Sequence, residues 1–163
     1  MSSQVLTDQT AAVRAFVALI QAHATTTRSL SAQLLADHGL TLNDYEVLLR
    51  LARAPDRRLR RVDLAEEVLL TPSGITRLLD GLERAGLVER AACASDRRVV
   101  YAVITDVGLD KLRTASGTHV AQIEEFFAAR LGPEQQHAAA DILERLCGQV
   151  VEDSACAPPE AED

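Results

Sequence analysis

The chain has 163 residues and a net charge of −7, with 47% hydrophobic residues but only 3% aromatics and no Trp. That suffices for one domain, or one domain and a tail, whose aliphatic core favours helices over an all-strand sandwich. No apolar run reaches the roughly 18–20 residues of a membrane span; Met1-Ser2-Ser3-Gln4 opens no basic-then-apolar export signal, so a cytoplasmic location is expected.

From about Asp8 to Ala36, Val13, Phe16, Val17, Ile20, Ala24, Leu30, Leu34 and Leu35 recur at three- and four-residue steps. This spacing predicts a long amphipathic helix, in which the weak helix formers Thr25-Thr26-Thr27 leave room for a bend, and a stop at Asp37-His38-Gly39. A second helix is expected from Tyr45 to Ala54, capped near Thr41-Leu42-Asn43-Asp44 and ended by Pro55. Asp56-Arg57-Arg58-Leu59-Arg60-Arg61 reads as a basic connector, and a short helix follows from about Val62 to Val68. Thr71 suits a cap with Pro72 in the first turn of a fourth helix, whose buried stripe is Ile75, Leu78, Leu79 and Leu82 and whose stop is Gly86. Leu87–Ala92 and Val99–Ile104 are β-rich runs either side of Cys93-Ala94-Ser95-Asp96-Arg97-Arg98, hence a hairpin. Thr105 starts another long helix, apolar at Leu109, Leu112, Val120, Ile123, Phe126, Phe127 and Leu131. Gly132-Pro133 breaks it, and a last helix runs from Glu134 to about Val151. Residues 152–163 hold five acids and two prolines, a composition expected to stay disordered.

The acidic total hides an uneven distribution. Residues 1–49 carry two Arg against four acids, residues 50–98 eleven Arg against eight acids, and residues 99–163 four basic groups against twelve acids. The positive excess therefore falls on the helix–turn–helix–hairpin segment. Screening beyond about 8 Å makes local charge, not the total, decide attraction to phosphates. Burying Ile75, Leu78, Leu79 and Leu82 leaves Ser73, Gly74, Thr76, Arg77, Asp80 and Arg84 outward or at the margins. Small residues at that end let a backbone approach a groove floor, and Arg77 is long enough to reach a base edge or a phosphate. The helix's positive end also favours a phosphate near Ser73. Arg97 and Arg98 at the hairpin tip suit a minor groove or flanking phosphates, and Asp96 suits bracing a neighbouring Arg. Arg57, Arg58, Arg60 and Arg61 are candidate phosphate contacts or a solvated connector.

The segment Leu64-Ala65 … Ile75-Thr76-Arg77-Leu78-Leu79-Asp80-Gly81-Leu82-Glu83-Arg84-Ala85-Gly86-Leu87-Val88-Glu89-Arg90 … Asp96-Arg97-Arg98 … Ile104-Thr105-Asp106-Val107-Gly108 resembles the MarR family of transcriptional regulators. The Asp-x-Arg wing followed by an aliphatic-Thr pair and a Gly is the more diagnostic part, and the likeness covers about residues 8–151. It implies a mainly α fold with a small β-hairpin wing, a winged helix-turn-helix built as a homodimer through long N- and C-terminal helices. It places Ser73, Thr76 and Arg77 on the recognition helix and Arg98 at the wing tip with Asp96 bracing it; Gly74, Arg84, Arg60, Arg61 and Arg97 join the candidate DNA contacts from their positions in the sequence. Two departures stand out. Arg60 occupies a position where the family often has a Ser or Thr cap, and Gly81 lies mid-helix, where close packing would explain it.

The expected organisation is a dimerisation helix over 1–40, a DNA-binding lobe over 41–105, dimerisation helices over 106–151 and an acidic tail over 152–163. Two copies would read a palindromic operator. The amphipathic end helices carry more apolar face than one small lobe can cover. The resemblance further implies a small, often phenolic, effector that releases DNA, with His23, Tyr45 and His119 as candidate lining residues. An alternative is a redox response through Cys93; another is a winged-helix module that binds protein. Cys93, Cys147 and Cys156 have no paired spacing, and Cys156 lies among acids that dull a thiol. The four histidines lack metal-ligand spacing, no cofactor is implied, and no Gly-rich phosphate loop or Gly-x-Ser-x-Gly element supports an enzyme.

Overall fold

The computed structural model describes residues 10–68, 70–92 and 99–147. Its elements run α1 (Ala11–His38), α2 (Leu42–Arg53), β1 (Arg58–Arg60), α3 (Arg61–Glu67), α4 (Pro72–Arg84), β2 (Val88–Ala92), β3 (Val100–Ile104), α5 (Asp106–Ala128) and α6 (Pro133–Cys147), with a 3₁₀ turn at Pro55–Arg57. The expected termini Asp8 and Val151, the hairpin tip with Cys93, Asp96, Arg97 and Arg98, and the acidic tail with Cys156 lie outside the described residues.

Threonine caps set most helix starts. Thr41 and Asp44 form a reciprocal capping box, the Thr41 N–H donating to Asp44 Oδ2 at 2.9 Å and the Asp44 N–H to Thr41 Oγ1 at 3.1 Å. Thr71 Oγ1 accepts from the Gly74 N–H at 3.1 Å, with Pro72 in the first turn of α4. Each cap satisfies a donor that the helix itself leaves unpaired. At the other end of α4, the Gly86 N–H bonds Glu83 O and the Leu87 N–H bonds Leu82 O. This paired closure needs the left-handed φ of 71° that Gly86 adopts.

Three expectations are corrected. Arg58–Arg60 is a strand, not a connector: Arg58 and Arg60 face outward while Leu59 turns in against the core. β1 pairs with β3, Leu59 opposite Ala102, giving an antiparallel sheet of order β1-β3-β2 in which Arg90 also faces Ala102. Helix α1 runs unbroken through Thr25-Thr26-Thr27; Thr26 and Thr27 are half-buried, and packing there offsets their weak propensity. Close packing does not explain Gly81, since a Cβ built on it meets nothing within 4 Å.

The core lies where α2, α3, α4 and the sheet meet the C-terminal end of α1 and the first half of α5. Leu34, Leu48, Leu51, Leu64, Ile75 and Leu112 are fully enclosed there, each contributing about 1.5–3 kcal/mol by burial. Outside it, α1 is exposed from Ala11 to Thr25 and α6 has no buried residue. Phe16, Ile20, Ile142 and Leu146 stand 63%, 51%, 59% and 68% exposed, so each helix shows solvent an apolar face.

Thr105 ties the sheet to α5. Its N–H donates to Leu87 O at 3.1 Å and its hydroxyl to Gly86 O at 2.7 Å, while the same hydroxyl accepts from the Gly108 N–H at 3.0 Å. The joint closes because residue 108 has no side chain: a Cβ would sit 2.1 Å from Leu87 O and 2.8 Å from Ile104 Cγ1. Gly108→Ala is therefore expected to destabilise the protein by about 1–3 kcal/mol, whereas Gly81→Ala, with open space around it, is expected to stabilise it by about 1 kcal/mol. Thermal melts of the two variants should move in opposite directions.

Candidate nucleic-acid interface

Helix α4 buries Ile75, Leu79 and Leu82 and leaves Ser73, Arg77 and Arg84 exposed on the opposite side. Arg77 meets no side-chain partner among the described residues. Ser73 stands at the capped end, its hydroxyl 3.3 Å from Thr71 Oγ1. Gly74 is half-buried, and a Cβ there would press on Thr71 Oγ1 at 3.1 Å. Arg84 folds back along the helix, its Nε donating to Asp80 O at 3.0 Å. The Thr76 hydroxyl is already engaged: it donates to Pro72 O at 2.7 Å and accepts from Arg61 Nη1 at 3.0 Å. Thr76 thus holds Arg61, from the first turn of α3, against the recognition helix.

The neighbouring arginines divide by partner. Arg60 caps α3 without a side-chain bond to its backbone; instead it grips Asp63 through Nε at 2.6 Å and Nη2 at 2.7 Å. That hydrogen bond and the Asp63 charge raise its pKa, holding the guanidinium protonated. The carboxylate so placed lies in the first turn of α3, where the helix dipole favours negative charge. Arg58 pairs with Asp56 at 3.0 Å and lies over the Tyr101 ring at 5.2 Å. Arg57 approaches Asp106 at 3.7 Å. Arg61, Arg77 and Arg84 have no acidic partner among the described residues; Arg77 and Arg84 stand exposed on α4, and Arg61 is held beside that helix by Thr76. Arg90 on β2 reaches α4, its Nη2 hydrogen-bonded to Asp80 Oδ1 and its Nε 3.1 Å from Glu83 Oε2.

A helix capped by Thr and Pro, presenting exposed arginines beside an antiparallel hairpin, is the arrangement of a winged helix-turn-helix. The MarR family model matches residues 38–99. The regulator MhqR of Bacillus subtilis is 32% identical over 109 residues, 67% of this chain and 73% of that one. The chain belongs to the MarR family. The B. subtilis repressor YetL is 34% identical over 68% of each chain. Among solved structures, Sco3205 of Streptomyces coelicolor, a MarR family regulator in complex with DNA, superposes with a TM-score of 0.78 at 30% identity, covering 96% of this chain and 98% of its own. AbsC of the same organism gives 0.71 at 32% identity, covering 86% and 95%. The protein is thus a DNA-binding transcriptional regulator, a class without enzymatic activity.

The three residues considered for an effector separate. His23 is exposed on α1, about 22 Å along the helix axis from His38. Tyr45 and His119 are 3% and 2% exposed and pack edge to face at 4.9 Å. Tyr45 Oη and Ser116 Oγ are hydrogen-bonded at 3.0 Å. On the adjoining turn, His38 Nε2 bonds Thr118 Oγ1 and Gln122 Nε2 donates to Asp37 Oδ2 at 2.7 Å. His119 Nδ1 and Gln122 Oε1 are buried polar atoms with no hydrogen-bond partner among the described residues. Sequence spacing could not show this cluster, because α1, α2 and α5 bring it together across 85 residues in the case of Asp37 and Gln122.

Burial, and secondarily the charge of His38, push the His119 pKa below its ordinary value. The unfolded chain then binds the proton more readily, so stability is complete above the ordinary His range near 6.5 and declines as pH falls below it. Melting temperature should drop between pH 7.5 and 5.5, and His119→Phe should flatten that dependence. An unchanged slope in the variant would remove His119 as its source.

Proposed function

We propose that this regulator acts as a homodimeric repressor that grips a palindromic operator and releases it when a small, phenol-sized effector binds. The observation that carries the DNA contact is the set of arginines without acid partners at α4, Arg77 and Arg84 on its exposed face and Arg61 beside it, with Ser73 and Gly74 at its capped end. Arg97, Arg98 and Asp96 would extend the contact from the wing, with Arg60 nearby on β1. The DNA complex of Sco3205 supports this docking, and the repressor YetL supports repression as the outcome. In this reading α1 and α6 form the dimerisation part and residues 41–105 the DNA-binding lobe. The apolar faces around Phe16 and Ile20 on α1 and Ile142 and Leu146 on α6 support the pairing, since patches of that kind mark contact surfaces.

The effector would engage Tyr45 and His119, without His23. Both rings are almost wholly enclosed, so a ligand reaching them must part α2 from α5. That requirement links occupancy to the position of the DNA-binding lobe, because the ligand would bind only the parted arrangement. The unpartnered His119 Nδ1 and Gln122 Oε1 offer such a ligand polar contacts.

Nuclease footprinting on DNA upstream of the protein's own gene should reveal a symmetric site with half-sites about one helical turn, 10–10.5 bp, apart. Its affinity should fall steeply with salt. Arg77→Ala should cost about 1–3 kcal/mol if the side chain reads a base. Sedimentation should give a dimer, and Phe16→Asp should shift it toward a single subunit with loss of the footprint. A monomeric wild type, or no protected symmetric stretch, refutes the reading.

A further inference from the structure

The hairpin and the recognition helix meet incompletely. Between them lies an open groove of about 180 Å³, floored by Leu79, Val88, Val100 and Ala102. Apolar contact there leaves room for the hairpin to tilt against α4, since unfilled space forfeits the dispersion contacts that lock packed elements. Among the described residues, Arg90 spans the gap. Arg90 leaves the middle of β2 and divides its guanidinium between two acids on α4, Nη2 to Asp80 and Nε to Glu83. Those acids are three residues apart and so share one helix face. A planar fork held at two points on a helix fixes distance and angle together, which a single ammonium cannot do.

We infer that Arg90 with Asp80 and Glu83 is a wing strut: a positioning device that sets the angle of the hairpin to the recognition helix and so lets both reach one DNA segment together. Asp80, Glu83 and Arg90 are each 42–47% exposed at their side chains. Exposed pairs add little to global stability; the strut acts on orientation. It also accounts for two carboxylates on the face of a DNA-reading helix, where bare charge would oppose phosphate.

The test exploits opposite signs. Removing two acids should strengthen DNA binding if only charge mattered. The strut predicts that Asp80→Ala/Glu83→Ala, made in the full-length protein, weakens binding to the footprinted promoter fragment about tenfold, with the hairpin-side protection lost first. Arg90→Lys should give an intermediate loss, and melting temperature should barely move. Hydrogen exchange without DNA reads the strut directly: amides of Val88–Ala92 and Val100–Ile104 should exchange several-fold faster in the double variant, while those of α5 stay unchanged. The DNA arm rests on the operator-binding reading, but the exchange arm does not, so a failure of wild-type footprinting is distinguishable from a failure of the strut. Unaltered hairpin exchange, tighter DNA binding in the double variant, or wild-type behaviour in Arg90→Lys would overturn the inference.

Discussion

The structure depends on one crowded joint, where the backbone of Gly108 rests against the carbonyl of Leu87. A methyl group at residue 108 would overlap that oxygen, so the approach exists only because the side chain is absent. Thr105 then uses both of its hydrogen-bonding polarities at the same place, donating to Gly86 O and accepting from the Gly108 N–H. The end of α4, the start of β2, the end of β3 and the start of α5 are thereby held within a few bonds of one another. The recognition helix and the hairpin consequently share an anchor with the longest helix of the C-terminal half.

Under the proposed effector response, that anchor gives α5 a second role. From Thr105 to His119 the helix runs about 21 Å without a break, and at the far end His119 and Ser116 pack against Tyr45 of α2. Packed helices shift as units because close-packed interiors deform little. In the effector-release reading proposed above, a displacement of α5 at the Tyr45–His119 contact would be carried to the Thr105 joint and on to α4 and the hairpin. The polar residues at the far end fit this role better than an apolar plug would. Buried polar atoms left without partners are costly, so that contact is the less stable end of the lever, while the Gly108 joint, fully bonded, is the fixed one.

Much of this could be read before the coordinates because it is written locally. Thr41, Thr71 and Thr105 each precede a helix at cap position, Pro72 opens one and Gly86 closes one; these effects need only neighbouring residues. The apolar period of α2 and α4 is equally local. What escaped has a partner far along the chain or a signal too short to stand out. Strand β1 has three residues, two of them Arg, so its charge masked an alternation carried by Leu59 alone. The Thr76 hydroxyl looked free for DNA but is committed to Pro72 O and Arg61, a pairing that needs α3 and α4 placed. His23 and His119 are alike as sequence, yet one is exposed on the uncovered first half of α1 and the other enclosed among α1, α2 and α5. Arg90 had a readable clue in Asp80 and Glu83, two acids on the margin of an otherwise basic face.

The arginine partners also resolve how an acidic chain engages a polyanion. Counting Arg in residues 50–98 overstates the charge available, because many of them are neutralised within the protein. Arg60 is spent on Asp63, Arg58 on Asp56, Arg50 on Glu46 and Glu67, and Arg90 on Asp80 and Glu83. Of the described arginines in residues 50–98, Arg61, Arg77 and Arg84 have no acid partner, Arg77 and Arg84 on α4 and Arg61 at the start of α3 beside it. Attraction over a screened distance is set by such uncompensated charge near the duplex, so in the proposed docking these three groups would act where a net of −7 over the whole chain does not. The paired arginines contribute geometry instead: they hold the cap of α3, the edge of β1 and the hairpin at fixed places around those three. Charge and shape are thus assigned to different arginines, and Asp56, Asp63, Asp80 and Glu83 are the acids that give the basic surface its form.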